Sequence, residues 1–416
     1  MSFQGRPRFR PAIELHPAKS QEDQQLIVFR DPEGLSQRQV AMSIRAGVVV
    51  HALLDGTRDR DAFLHDWHEA MQAEFPESEL DGLVRALEDA VLLEGPKVAL
   101  ARRAALQEYR QQEHRPTAFA GSSYPEDADE LREQIATWRE DSGVEPVDGP
   151  VRAVLAPHID PLGGGSCHGA AIAAFAACPA EIYVVLGTAH AGLQRPFALT
   201  TLDFDTPLGV LPTDRALVER LAARSGGGLL DDELAHRSEH SVEFQAVWLR
   251  AVHSERENLR IVPVLVGSQH GRILEGSSPR EDPEVMDFVK ALRELREEYG
   301  EKLAIVASVD FAHMGPRYDH PEAPDTEAMA SVMEADRRLL EDAQALDADA
   351  WFTHLHEEQN QRNVCGAAPT WTLLETLAGS SLESRLLCHD AWEIDPTSGS
   401  HVTFAAVAWH AAGDDA

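Results

Sequence analysis

The chain is poor in positive charge, in cysteine and in long apolar runs. Against 70 aspartates and glutamates stand 37 lysines and arginines, a formal net charge of −33. Nucleic acids and anionic membranes select cationic surfaces, so no nucleic acid and no membrane is expected as a partner. No stretch approaches the roughly 20 apolar residues of a membrane-crossing helix. The start Met1-Ser2-Phe3-Gln4-Gly5-Arg6 has no signal-peptide core, and a cytoplasmic protein is expected. Four cysteines (Cys167, Cys178, Cys365 and Cys388) are too few over 416 residues for a disulfide framework. Cys167 and Cys178 flank a segment of small residues and read as packed thiols. Gly163 to Gly165 has neither the lysine nor the hydroxyl residue of a phosphate loop.

What is present is a series of apolar runs that end in polar, metal-ligating residues. Val151 to Ala156 leads into Pro157-His158, and Ile182 to Gly187 leads into Thr188-Ala189-His190. Both runs read as buried strands, and in an open parallel sheet the ligand crevice lies beyond the carboxyl ends of the strands. Leu303 to Val309 repeats the pattern, ending at Asp310-Phe311-Ala312-His313, and Leu259 to Val266 ends at Gly267. Ser238 to Gln245 opens a helix on which His240, Glu243 and Gln245 are crowded. Cys365 stands just before a helix expected over Pro369 to Leu377, where a thiolate is favoured over a thiol. Asp160 to Gly165 reads as a flexible turn before a helix from His168 to Ala177, and His401 to His410 as the last strand. Neutral imidazole and thiolate suit Fe, Zn or Cu, and three protein ligands with an open position are what a catalytic metal needs.

The first third differs. Arg8 to Pro11 and Leu26 to Arg30 suggest short strands, Asp31 to Gly34 a turn, and Ser36 a cap for a helix reaching Leu54. Helical spacing recurs over Arg60 to Ala73 and Leu80 to Leu92, which gives a small α+β unit of winged-helix type. The order Arg10-Pro11, Asp31-Pro32-Glu33-Gly34-Leu35-Ser36, Leu53-Leu54-Asp55-Gly56 and a closing helix from Leu87 to Glu94 resembles the PqqD-like family. Members of that family include modules that bind a peptide by strand addition, so the resemblance implies a peptide or protein substrate met through this domain. The expected division is a domain over 7–95, a polar helical linker over 96–114 and a second domain over 115–413.

The second domain resembles the Memo family, also called protein B of the AmmeMemoRadiSam system. The blocks are Pro157-His158, Gly187-Thr188-Ala189-His190, Phe204-Asp205-Thr206-Pro207-Leu208-Gly209, Glu239-His240-Ser241-Val242-Glu243-Phe244-Gln245, Ile261 to Gly267, Asp310-Phe311-Ala312-His313-Met314-Gly315 and Cys365-Gly366. That family is similar in fold to class III extradiol dioxygenases, which implies an α/β domain whose central, largely parallel sheet is flanked by helices. The resemblance makes His158, His190 and Cys365 the metal ligands and His313 and His240 the acid/base residues. Asp310 and Glu243 become the supporting carboxylates. It implies an Fe(II)-dependent oxidoreductase, with Cu or Zn as other metals, and AMMECR1-like and radical SAM (S-adenosylmethionine) proteins as partners. A peptide-binding signalling protein without catalysis and a Zn-type hydrolase are the competing readings. The chain departs from the family beside two ligands: Ile159-Asp160-Pro161 replaces Ala-Gly, and Thr188-Ala189 replaces Pro-Ser.

Overall fold

The computed structural model describes residues 5–20, 24–36 and 38–412; Met1 to Gln4 of the expected leaderless start and the expected domain end at Gly413 lie outside them. The chain divides into two compact units between Gln111 and Gln112. No helix among the described residues is long and apolar enough to cross a membrane.

In the first unit, strands Glu14–Lys19, Gln25–Arg30 and Val40–Ser43 form an antiparallel sheet in that order. Helices Ile44–Leu53, Arg60–Met71, Glu77–Asp89 and Pro96–Arg110 follow. Phe29, Val50, Leu54, Phe63, Leu80 and Leu87 make its core. Two expectations fail locally. Ser36 does not cap a helix: its amide is taken by the Asp31 carboxylate at 2.7 Å, and the helix starts after Ser43. Arg8 and Phe9 make only isolated bridges, to Asp55 and Leu93, not a strand of the sheet. The helix expected as a linker, Pro96–Arg110, belongs to this unit.

The second unit is an α/β sandwich around one eight-stranded mixed sheet. Its four central strands run parallel, in the order Val151–Ala156, Leu303–Ser308, Ile182–Thr188, Arg260–Val266. Ser400–Ala411 and Phe197–Leu199 flank them antiparallel, and His313–Met314 and Leu382–Asp395 pair with Ser400–Ala411. The central strands are apolar on both faces because helices cover both. Leu155, Val184 and Val264 pack toward Phe288, Leu292 and Leu373 on one side. On the other, Val154, Val185 and Ile261 meet Phe175, Val247 and Trp248.

Three expectations need correcting here. The long strand Leu382–Asp395 was not anticipated: it carries polar residues throughout and is only partly covered, so no apolar run marks it. The glycines after Asp160 are not a flexible turn but the first turns of helix Pro161–Ala176, capped by Asp160, which accepts the Leu162 amide. A Cβ on Gly163 would lie 1.9 Å from the Trp392 ring and one on Gly165 2.3 Å from Trp138, so these glycines serve close packing. Third, Cys167 and Cys388 are joined by a disulfide that ties that helix to that strand across 221 residues. Cysteine usage therefore no longer argues for a reducing compartment.

Candidate metal centre

The parallel strands all end on one edge, and each hands a polar residue to it. His158 follows the first strand, Asp310 the next across the sheet, His190 the third and Gln269 the fourth. Helix His240–Val252 begins at the same edge, so His240 is its first residue and Glu239 its cap.

Ligand atoms of His158, His190 and His240 lie within 4.8 Å of one another, a trio that can hold a metal ion. Ring centroids are 5.0 Å apart for His158 and His190, 5.1 Å for His158 and His240, and 4.6 Å for His190 and His240. Cys365, placed outside that trio, brings its Sγ to 3.5 Å from His158 Nε2. It reaches this position through a tight loop. A Cβ on Gly366 would lie 2.6 Å from the Asp310 carbonyl, so only glycine lets the loop lie against that strand end.

Each histidine is oriented by a fixed partner. His158 Nδ1 lies 2.9 Å from the Ser308 carbonyl, which can only accept, so Nδ1 carries the proton and Nε2 keeps its lone pair. The Asp310 carboxylate accepts the amides of His158 and Ile159, both at 3.0 Å, and fixes the turn that presents the ring. His190 donates from Nδ1 to Glu239 at 3.0 Å, and its own amide bonds the same carboxylate at 2.9 Å. His240 Nδ1 is 3.3 Å from Glu239. One carboxylate thus sets two imidazoles, the arrangement that orients metal-binding histidines.

Burial dominates the charge states. It pushes His158 well below its ordinary pKa, with His190 and His240 adding repulsion. It lowers His240 to about 4, again with His190 contributing. Both are neutral at pH 7, the form a metal accepts. Burial also works against a charge on His190, whose side chain is 40% exposed, but Glu239 and Cys365 override it and hold the ring well above the ordinary range. Asp310 is raised to about 7 by burial against the pull of the two amides it accepts. Burial raises the Cys365 thiol as well, against His190; this corrects the expectation of a helix-start thiolate. The helix begins at Ala367, two residues before the expected Pro369.

His313 lies at the edge of the cluster. Its Nδ1 donates to the Phe311 carbonyl at 3.0 Å, its ring meets Tyr318 edge-on, and burial lowers it to about 4. Glu243 takes a different place from the other predicted carboxylate, Asp310. Its oxygens are occupied by Arg115 at 2.6 Å, Tyr124 at 2.5 Å and the amides of Ala118 and Phe119. The carboxylate that touches the rings of His190 and His240, Glu239, was missed. An acidic residue directly before a helix start was the available signal.

The family profile described as Memo-like protein matches residues 115–408. Relatives named MEMO1 family protein align with the chain. One from Aquifex aeolicus is 26% identical over 92% of this chain and 96% of its own length. One from Thermus thermophilus is 33% identical over 64% of this chain and 73% of its own length. One from Methanopyrus kandleri is 32% identical over 66% of this chain and 90% of its own length.

Proposed function

We propose that this chain, which belongs to the Memo family, uses the cluster of His158, His190, His240 and Cys365 to hold a redox-active metal and acts as an Fe(II)-dependent oxidoreductase of dioxygenase type. The observation that carries the reading is the convergence of three oriented imidazoles and one thiol at the ends of the parallel strands. The donor set fits: two imidazoles are neutral, and the lone pair of His158 Nε2 faces the Cys365 sulfur. His158, His190 and Cys365 are the preferred ligands, and His190 and Cys365 would each give up a proton on binding. A bound Fe(II) supplies the one-electron chemistry that dioxygen activation needs.

The protein's own groups divide the remaining work. Glu239 keeps His190 and His240 in register. His313, neutral and donating from Nδ1, offers Nε2 as a base beside the cluster. Asp310, raised to about 7, can hold a proton or release one near neutral pH. A peptide or protein substrate presented by the first unit extends the proposal. Support comes from its small sheet, whose strand Val40–Ser43 pairs on one side only among the described residues and so offers an edge for strand addition. AMMECR1-like and radical SAM partners remain part of the proposal on the family resemblance, and a cytoplasmic location is part of it as well.

A second reading has one observation in its favour. Three histidines with carboxylate support are also a catalytic zinc site, which would make the chain a hydrolase. Anaerobic purification followed by elemental analysis tests both. Iron should bind the wild type and be lost in His158→Ala and Cys365→Ser. If His240→Ala loses metal while Cys365→Ser keeps zinc, the hydrolase reading replaces the first. Binding of neither iron, copper nor zinc under reducing conditions removes the metal function altogether.

A further inference from the structure

Beside His190 and Cys365 opens a cavity of about 190 Å³. At roughly 30 Å³ per water molecule it has room for about six, well below the span of drug-sized ligand pockets. Val266, Ile273 and Val364 make part of its wall apolar. Its polar side chains are the Thr188 and Ser268 hydroxyls, the His190 and His270 imidazoles, the Cys365 thiol and the Gln269 and Asn360 carboxamides, none of them a carboxylate.

Gln269 lines this cavity and is 8% exposed, yet among the described residues its carboxamide has no hydrogen-bond partner. Asn360, 6% exposed, also lines it. Its Oδ1 accepts the Val364 amide at 2.9 Å, which fixes the side chain and leaves the Nδ2 donors without a partner among the described residues. The third contributor is the start of helix Ala367–Leu377. Gly366 supplies no side-chain cap there, and the amides of Ala367 and Ala368, both cavity residues, find no acceptor among the described residues. Donors gathered around one small space without a protein acceptor suit a ligand that brings an acceptor of its own. Helix starts favour anions in addition. The charge pattern agrees: in a chain with 70 aspartates and glutamates, none lines this cavity.

We propose that this cavity binds a small carboxylate-bearing molecule, with the carboxylate on Gln269, Asn360 and the Ala367 and Ala368 amides and its other end beside His190 and Cys365. The inference deepens the metal reading by naming the substrate class, and rests on that reading only for what happens at the far end of the ligand. The carboxylate cradle itself needs no metal.

The test is calorimetric titration of the full chain, metal-free and loaded with redox-inert Zn(II), with propionate, propionamide and inorganic phosphate. Propionate should bind at least tenfold tighter than either of the other two. Gln269→Glu and Asn360→Asp keep size, and the second keeps the acceptor for Val364, but each puts a negative charge where the ligand sits. Each should weaken propionate at least tenfold with Zn(II) content and melting temperature unchanged. Equal binding of propionamide or phosphate would overturn the proposal. So would undiminished binding in both variants, which would place the carboxylate on the metal instead. If Zn(II) fails to load but propionate binds, the metal reading falls and the cradle stands; if Zn(II) loads and propionate does not bind, the reverse holds.

Discussion

Glu239 and Glu243 stand four residues apart at the start of one helix, and both are buried. Glu239 accepts from His190, from its amide and from the Ser241 amide. Glu243 accepts from Arg115, Tyr124 and two loop amides. The difference lies in the partners. An imidazole changes charge near neutral pH or on binding a metal, whereas a guanidinium never does. A buried carboxylate facing the first kind tunes a site; one facing the second holds a fold together.

The largest effect should come from breaking the fixed pair. Arg115 is fully buried, and Glu243→Ala leaves its charge without a partner. A loss of about 3–5 kcal/mol is expected, read as a fall in melting temperature, while metal per folded molecule stays the same. A loss below about 1 kcal/mol would mean that the clamp is not structural.

Acid should reach the Glu243 side through a neighbour. The carbonyl of His236 accepts from Arg115 Nε at 2.6 Å, and burial lowers the His236 ring to about 4 from 6.5. Its folded pKa is depressed, so the unfolded chain binds more protons between those values. Stability is complete above pH 6.5 and declines as the pH falls toward 4, by at most about 3 kcal/mol from this residue. His168, also lowered to about 4, adds to the same slope. Melting curves from pH 7 to 4 check the sign, and a flat profile contradicts the neutral assignment of both rings.

On the other carboxylate the readout changes from stability to affinity. Glu239→Gln keeps the shape but loses the charge that orients His190 and His240. Metal affinity should fall ten- to hundredfold, about 1.4–2.7 kcal/mol, measured by chelator competition on folded protein. The same competition on Glu243→Gln should give no comparable change. Equal losses in the two variants would erase the distinction drawn between them.

That distinction also marks what the sequence made legible. His158, His190, Asp310 and His313 stood out because apolar strands announce their own ends, and the parallel sheet gathers those ends at one edge. Cys365 stood out through its place before a helix. Glu239 was hidden because helix position alone does not say which of two carboxylates turns toward the strands; Arg115 and Tyr124, 124 and 115 residues before it, decide that by claiming Glu243. Gln269 did have a strand-end signal, three residues past Val266, but a neutral amide does not look like a ligand. The glycines of Gly163 to Gly165 read as a loop because their need is set by Trp138 and Trp392, which only the fold brings to them.

The smallest expected effect trims the fixed side without breaking it. Tyr124→Phe removes one hydroxyl donor from Glu243 and leaves Arg115 and both amides in place. The carboxylate keeps its charge partner, so the cost is at the low end for one hydrogen bond to a charged acceptor, about 1.5 kcal/mol in denaturant unfolding. Because the Phe ring still fills the space against Phe244 and Trp248, no cavity term is added. A cost near that of Glu243→Ala would show that Tyr124, not Arg115, anchors the carboxylate, and the guanidinium would then be the passive partner of the pair.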